Sequence, residues 1–269
     1  MDSKVTASIE PRDLHFPLHE VPRDWHPGGV AVTAYWDQLS IFFPVGEGFF
    51  VKSVRHFLPQ LSDPKLVAEV AAFCAQEGFH AREHVAYNER LAAEGLPIAT
   101  LEKVVKALLG FATRVLSPRK QLAITCALEH YTSLMGESVL SRPEFLGDAH
   151  PVMARLWRWH AAEEHEHRSV AFDTYLAVGG TWFERSRIML LVTLFFWGLM
   201  GPNLVLFFAR RGVLFSAREW WRLFRFMWVE PSALGSLIRP WASYFARDFH
   251  PSSHGNAELL SQWKASLQP

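Results

Sequence analysis

Cysteine is scarce. The 269-residue chain has two, Cys74 and Cys126, and neither has a CxxC partner. That argues against a disulfide framework and fits a reducing compartment. An excess of charge of one sign is also missing: 27 basic residues face 27 acidic ones. Nothing therefore marks the chain as a nucleic-acid binder. β-Branched alternation is rare, which leaves few strand signals. No repeat with a fixed period of about 20–50 residues is found. The opening "MDSKVTASIEPRDLHF" is polar and lacks an apolar h-region, so we expect no signal peptide and a start in the cytoplasm.

Histidine and tryptophan are plentiful, at 13 and 11. A long uncharged stretch is present as well. "IMLLVTLFFWGLMGPNLVLFFA", residues 188–209, runs for 22 residues without a charge. Stretches of about 18 or more such residues are candidates to cross a membrane. Gly201-Pro202-Asn203 interrupts this one, so a kinked span, a short re-entrant hairpin and a straight helix are all open. A buried pair of core helices is the competing reading. Arginines flank both ends and give no orientation. "REWWRLFRFMW", residues 218–228, interleaves Arg with Trp and Phe, which suits a membrane interface, an amphipathic helix or a partner surface. We expect contact with a membrane from its cytoplasmic side through residues 188–209.

The rest reads as all-α. Residues 1–34 are expected to form an irregular arm, 35–180 a helical bundle, and 181–269 a hydrophobic, aromatic helical region. Helices are expected over about 45–58, ending at Pro59; over 64–94, with Ser62 or Asp63 as cap, Pro64 in the first turn and Gly95 as stop; and over 101–116, 117–140 and 151–178.

Two of these helices carry a Glu-x-x-His pair, Glu77–His80 and Glu164–His167. Positions three and four apart share a helix face, so a Glu and a His one turn apart can reach one ion. His160 lies on the Glu164 stripe and His84 on that of Glu77. Two more helices supply one Glu each. Glu47 sits among Phe50, Val51 and Val54, where a charge would be buried and need a partner. Glu129 shares its stripe with Leu122, Thr125, Ser133 and Gly136. The order Glu, Glu-x-x-His, Glu, Glu-x-x-His is the arrangement with which a bundle binds two metal ions. Glu163, His165 and Glu166 point progressively away from the last stripe, as solvated groups or as holders of the ligands. His130, turned about 100° from Glu129, suits packing or a holding role. His84 and Glu163 are further candidates, as extra ligands or holders. His250 and His254 in "DFHPSSH" read as a loop folding back on the bundle, Tyr87 and Tyr131 as core residues.

This ordered set resembles the ferritin-like di-iron carboxylate superfamily. Its last helix, with His160 four residues before Glu164, resembles that of the di-iron arylamine N-oxygenases, which carries His-x-x-x-Glu-x-x-His. The resemblance implies that His160 is a ligand too. From about residue 30 to 255 the chain resembles more closely a bacterial family of predicted metal-dependent hydrolases, through "QEGFHAREH", "ALEHYT", "WHAAEEHEHRSVAFD" and "DFHP". The C-terminal hydrophobic part departs from the N-oxygenase pattern.

The ligands expected are thus Glu47, Glu77, His80, Glu129, His160, Glu164 and His167, holding two metal ions. Carboxylates and imidazoles without thiolate suit iron, with manganese or zinc as alternatives. The function expected is O2-dependent oxidation or oxygenation of a small hydrophobic or lipid-like substrate, with an electron donor. The alternatives are a two-metal hydrolase of an ester or amide bond and a non-enzymatic metal-binding membrane protein.

Overall fold

Among the residues that the computed structural model describes, 9–253, 260 and 263, every regular element is a helix. The first residues of the N-terminal arm and His254 lie outside the described residues. The helices are α1 (Val30–Arg55), α2 (Pro64–Ala93), α3 (Ile98–Val115), α4 (Pro118–Ser141), α5 (Pro151–His167), α6 (Val170–Ala177), α7 (Trp182–Arg210), α8 (Ala217–Phe224) and α9 (Ile238–Ser243). They form a bundle: α1 packs along α2, α4 along α5, α7 lies against both α4 and α1, and α3 closes on α1.

The boundaries of α2 follow from its ends. The Asp63 side chain accepts from the Lys65 N–H at 2.9 Å, and Pro64 takes the first helical position, where no N–H is needed. Gly95 ends the helix with φ +87°. Its N–H donates to the Ala92 carbonyl and that of Leu96 to Leu91, the pairing that satisfies the last carbonyls through a left-handed residue.

Two expectations change. α1 starts at Val30, before the expected helical onset at Tyr35 and well before residue 45, and runs straight through Pro44. Proline has no N–H, so the Ser40 carbonyl one turn back loses its helical donor. The Asn88 side-chain amide from α2 donates to that carbonyl at 3.2 Å, which lets the helix continue. The helix expected over 151–178 breaks at Arg168–Ser169, where the Arg168 guanidinium donates to the freed His165 carbonyl at 2.8 Å. Of the shapes the sequence leaves open for residues 188–209, the structure has one continuous helix, α7, with Pro202 inside it.

By length and composition α7 could cross a membrane, yet only 22% of its most apolar window is buried. It is therefore not a core helix. Ile188, Met189, Val192, Phe196, Met200 and Phe207 form its buried stripe, while Leu190, Leu191, Leu194 and Phe195 are exposed. The helices α4 and α5 come close together at Gly136, where a Cβ would lie 2.8 Å from the Ala161 carbonyl oxygen. Two apolar clusters enclose the middle of the bundle. One reaches it at Phe43, which packs on His84 and His160. The other reaches it at Phe73, edge-on to His167.

Candidate metal centre

Between those clusters lie seven acidic and imidazole side chains that apolar packing alone would not tolerate. Glu47 comes from α1, Glu77 and His80 from α2, Glu129 from α4, and His160, Glu164 and His167 from α5; all are buried. His84, from the next turn of α2, is buried beside them. The structure thus brings all seven expected ligands to one place. Four overlapping groups form: Glu47–His84–His160, His80–His160–Glu164, Glu47–Glu77–His80 and Glu77–Glu164–His167. Within each group the potential ligand atoms lie within 4.8 Å of one another. Two ligands sharing an ion at about 2.0–2.2 Å each can be roughly 4 Å apart, so small side-chain shifts close these groups on an ion.

Most of the donor atoms facing the centre are left unpaired, those of His160 and Glu164 excepted. Among the described residues, neither oxygen of Glu47, Glu77 or Glu129 has a hydrogen-bond partner of normal geometry, nor do His80 Nδ1 and His167 Nε2. His167 Nε2 faces Glu77, Glu129 and Glu164 at 3.2, 3.3 and 3.4 Å, at angles that do not make good hydrogen bonds. Buried polar groups are normally satisfied. A convergent set that is not satisfied fits a cation in the middle.

The outward-facing atoms, by contrast, are fixed. His80 Nε2 is hydrogen-bonded to Glu163 Oε2 at 3.1 Å, and Glu163 takes the backbone N–H and the guanidinium of Arg12, both at 3.1 Å. His167 Nδ1 is hydrogen-bonded to Gln76 Oε1 at 3.0 Å. The Gln76 amide donates in turn to Glu166 and to the Glu10 carbonyl. Arg12 also donates to Glu166, at 2.8 and 2.9 Å. Metal-binding imidazoles commonly have the ring nitrogen that faces away from the ion held in this way. A third chain runs from Ser40 through His84 and His160 to Glu164, with steps of 2.9 Å each. The Thr132 hydroxyl donates to the other Glu164 oxygen.

Electrostatics describe an acidic site short of positive charge. Burial, followed by repulsion from Glu164 and Glu129, pushes Glu47 well above the usual carboxylate range. Burial does the same to Glu77 and raises Glu129 to about 7. Burial would also raise Glu164, but His167 and His160 outweigh it and hold that carboxyl well below its ordinary value. His167 gains correspondingly: Glu129 and Glu164 overcome its burial and raise it. Burial and the neighbouring His160 lower His80 and His84.

Other candidates fall outside the cluster or beside it. Glu163 and Glu166 are not solvated; their side chains are 0% and 2% exposed, and both hold imidazoles through the contacts above. His130 is hydrogen-bonded to the Pro240 carbonyl at 3.2 Å and packs on Tyr244 and Phe249. His250 folds back to Asp173 at 2.7 Å. Tyr87 donates to Asp37 at 2.6 Å. Sequence reasoning missed Arg12, Gln76, Thr132, Ser40 and Asn88. Of these, Gln76, one residue before Glu77, and Thr132, the last residue of "ALEHYT", left a trace in a motif.

The comparisons with curated proteins and with solved structures gave no match. A family model does match, over residues 10–255. That span contains Arg12, all four helices that supply the cluster and the returning loop at His250. With its buried groups able to hold metal, the chain belongs to the family of predicted metal-dependent hydrolases.

Proposed function

We propose that the cluster holds two divalent metal ions, with Glu47, Glu77, His80, Glu129, His160, Glu164 and His167 as ligands. The observation that carries this reading is the set of unpaired donor atoms aimed at one another, both oxygens of Glu47 and Glu77 and Nδ1 of His80 above all. Four ionised carboxylates balance two divalent cations, so metal relieves an acidic site that burial otherwise forces to take up protons. Glu47, Glu77 and Glu164 each belong to two of the groups, which suits these carboxylates to bridge. Carboxylate and imidazole donors without thiolate favour iron; manganese and zinc compete.

Such an iron pair supplies O2 activation when bound, and we assign the protein the oxidation or oxygenation of a hydrophobic substrate, with electrons from an external donor. A cavity of about 290 Å³ supports this. It lies between α1, α3, α4 and α7 and touches the cluster at Glu47 and beside it at Thr132. Tyr131 is its other polar lining side chain, and its hydroxyl is already paired with Thr193 at 2.9 Å. The lining orients a greasy molecule and excludes water. Thr132 fixes Glu164, and Phe43 covers His84 and His160. The family description carries the second reading, hydrolysis of an ester or amide bond.

Metal analysis of the purified protein, followed by reduction and exposure to O2, separates the readings. About two irons per chain and O2 uptake support oxidation. Two zincs with no O2 response favour hydrolysis. An absence of bound metal in the wild type, unaltered by Glu164→Ala, would sink both.

A further inference from the structure

The cavity at Glu47 continues to the surface. Phe111 and Val115 of α3 and Leu191 and Phe195 of α7 line it and are also exposed, by 62%, 56%, 49% and 50%. Its mouth therefore opens between these two helices. Around the mouth α7 presents Leu190 and Leu194, and past its C-terminal end Phe215, Trp221, Phe224 and Trp228 are exposed. Exposed large apolar side chains in this number mark a candidate interaction site. Its charges say what it meets. Of the nine arginines in residues 181–250, seven are exposed, Arg185 and Arg211 being held inside; the four acidic residues of the same stretch include Glu184 and Glu219, which are paired with Arg119 and Arg222. Along α3 and into α4, Lys103, Lys106, Arg114 and Lys120 are exposed. A chain with no net charge thus gathers positive charge beside its apolar face, the complement of an anionic leaflet.

The helix α7 itself does not suit a crossing. Its buried stripe packs along α1 and α4, which carry Glu47 and Glu129. At its start Arg185 donates to the Tyr244 and Ala246 carbonyls. Just past its end Arg211 pairs with Asp24 and lies 3.8 Å from Asp37. Both ends are fastened to one body. Drawing α7 across a bilayer would carry buried carboxylates into the hydrocarbon, which is costly.

We infer that the protein lies on one anionic leaflet with the α3–α7 mouth facing lipid, and that it takes the alkyl chain of a lipid-borne substrate from the bilayer into the cavity, towards Glu47. The inference rests on the proposed metal centre only for what happens at the Glu47 end.

Three measurements on the full chain test it. Flotation with vesicles of phosphatidylcholine, with and without phosphatidylglycerol, should show capture that needs the anionic lipid and weakens on Leu194→Glu. Equal recovery without vesicle capture in both would overturn leaflet binding. In membranes from expressing cells, with Cys74 and Cys126 replaced by serine, an impermeant maleimide should reach Phe183→Cys and Arg210→Cys from the same side. Labelling from opposite sides means that α7 crosses and overturns the orientation. Titration with cis-parinaric acid, a fluorescent fatty acid, should weaken on the order of tenfold in Ala112→Trp or Leu108→Trp, which fill the cavity. Unchanged binding in both variants overturns the chain site. None of these readouts needs turnover or metal, so failure of the metal reading would appear only in metal content and O2 uptake.

Discussion

Arg12 touches Glu163 and Glu166, and through them it governs the orientation of both Glu-x-x-His imidazoles. Glu163→Gln weakens the acceptor for His80 and the partner for Arg12. Such outer contacts are worth roughly 10- to 100-fold in metal affinity, so we expect a loss of that size in competition with a chelator, with little change in helix content. A second residue-scale expectation concerns pH. Burial raises Asp37 to about 6, despite hydrogen bonds from Tyr87 and Trp25 and the charge of Arg211. A raised carboxyl favours the protonated fold. Its contribution is complete below the ordinary value of 3.8 and is lost as pH rises through about 6. Wild type should therefore lose stability relative to Asp37→Asn over that window, by at most about 3 kcal/mol. A stability difference that stays flat with pH would contradict this. The seven clustered side chains were legible because carboxylates and imidazoles at helical spacing point one way. Arg12 was not, since its arm has no periodicity and nothing in the sequence ties it to residues some 150 positions away.

Among the elements, α2 and α4 could be read from their cap residues and prolines, and α3 to within a turn, but α1 could not. Pro44 reads as a break because its cost is visible in sequence and its compensation is not. The compensation is Asn88, which donates to the Ser40 carbonyl and to Glu102 of α3 and accepts from the Ser40 hydroxyl at 2.8 Å. Asn88→Leu strands that carbonyl. We expect a loss of about 1–3 kcal/mol in urea unfolding, together with a change in the environment of His84, which shares Ser40. The break between α5 and α6 was equally hidden, since no glycine or proline marks it. In the sequence Gly136 is only a small residue on the Glu129 stripe. Its spatial meaning, the contact with the Ala161 backbone beside His160, needs both helices in place.

At the scale of the whole molecule, the proposed centre ties stability to metal. The buried carboxylates come from separate helices, and without cations they repel or take up protons. With free metal at a hundred times Kd, binding would contribute about 2.7 kcal/mol. Chelation should then lower Tm by on the order of 5–10 °C, and readdition of iron should restore it. A Tm indifferent to chelator would count against the centre. The helical class was plain from the scarcity of strand signals. The path of α7 was not, because composition alone does not distinguish a helix that crosses a bilayer from one that lies along the protein with one face bare.

All seven candidate ligands stand at residue 47 or later, yet the parts that aim them begin at Glu10 and Arg12. A chain shortened to start after Phe16 would keep every ligand and all nine α-helices described here. It would lose the carbonyl that steadies Gln76 and the guanidinium that steadies Glu163 and Glu166. Trimming of the leading arm, by a protease in the cell or at the bench, would thus disarm the protein while leaving it looking folded.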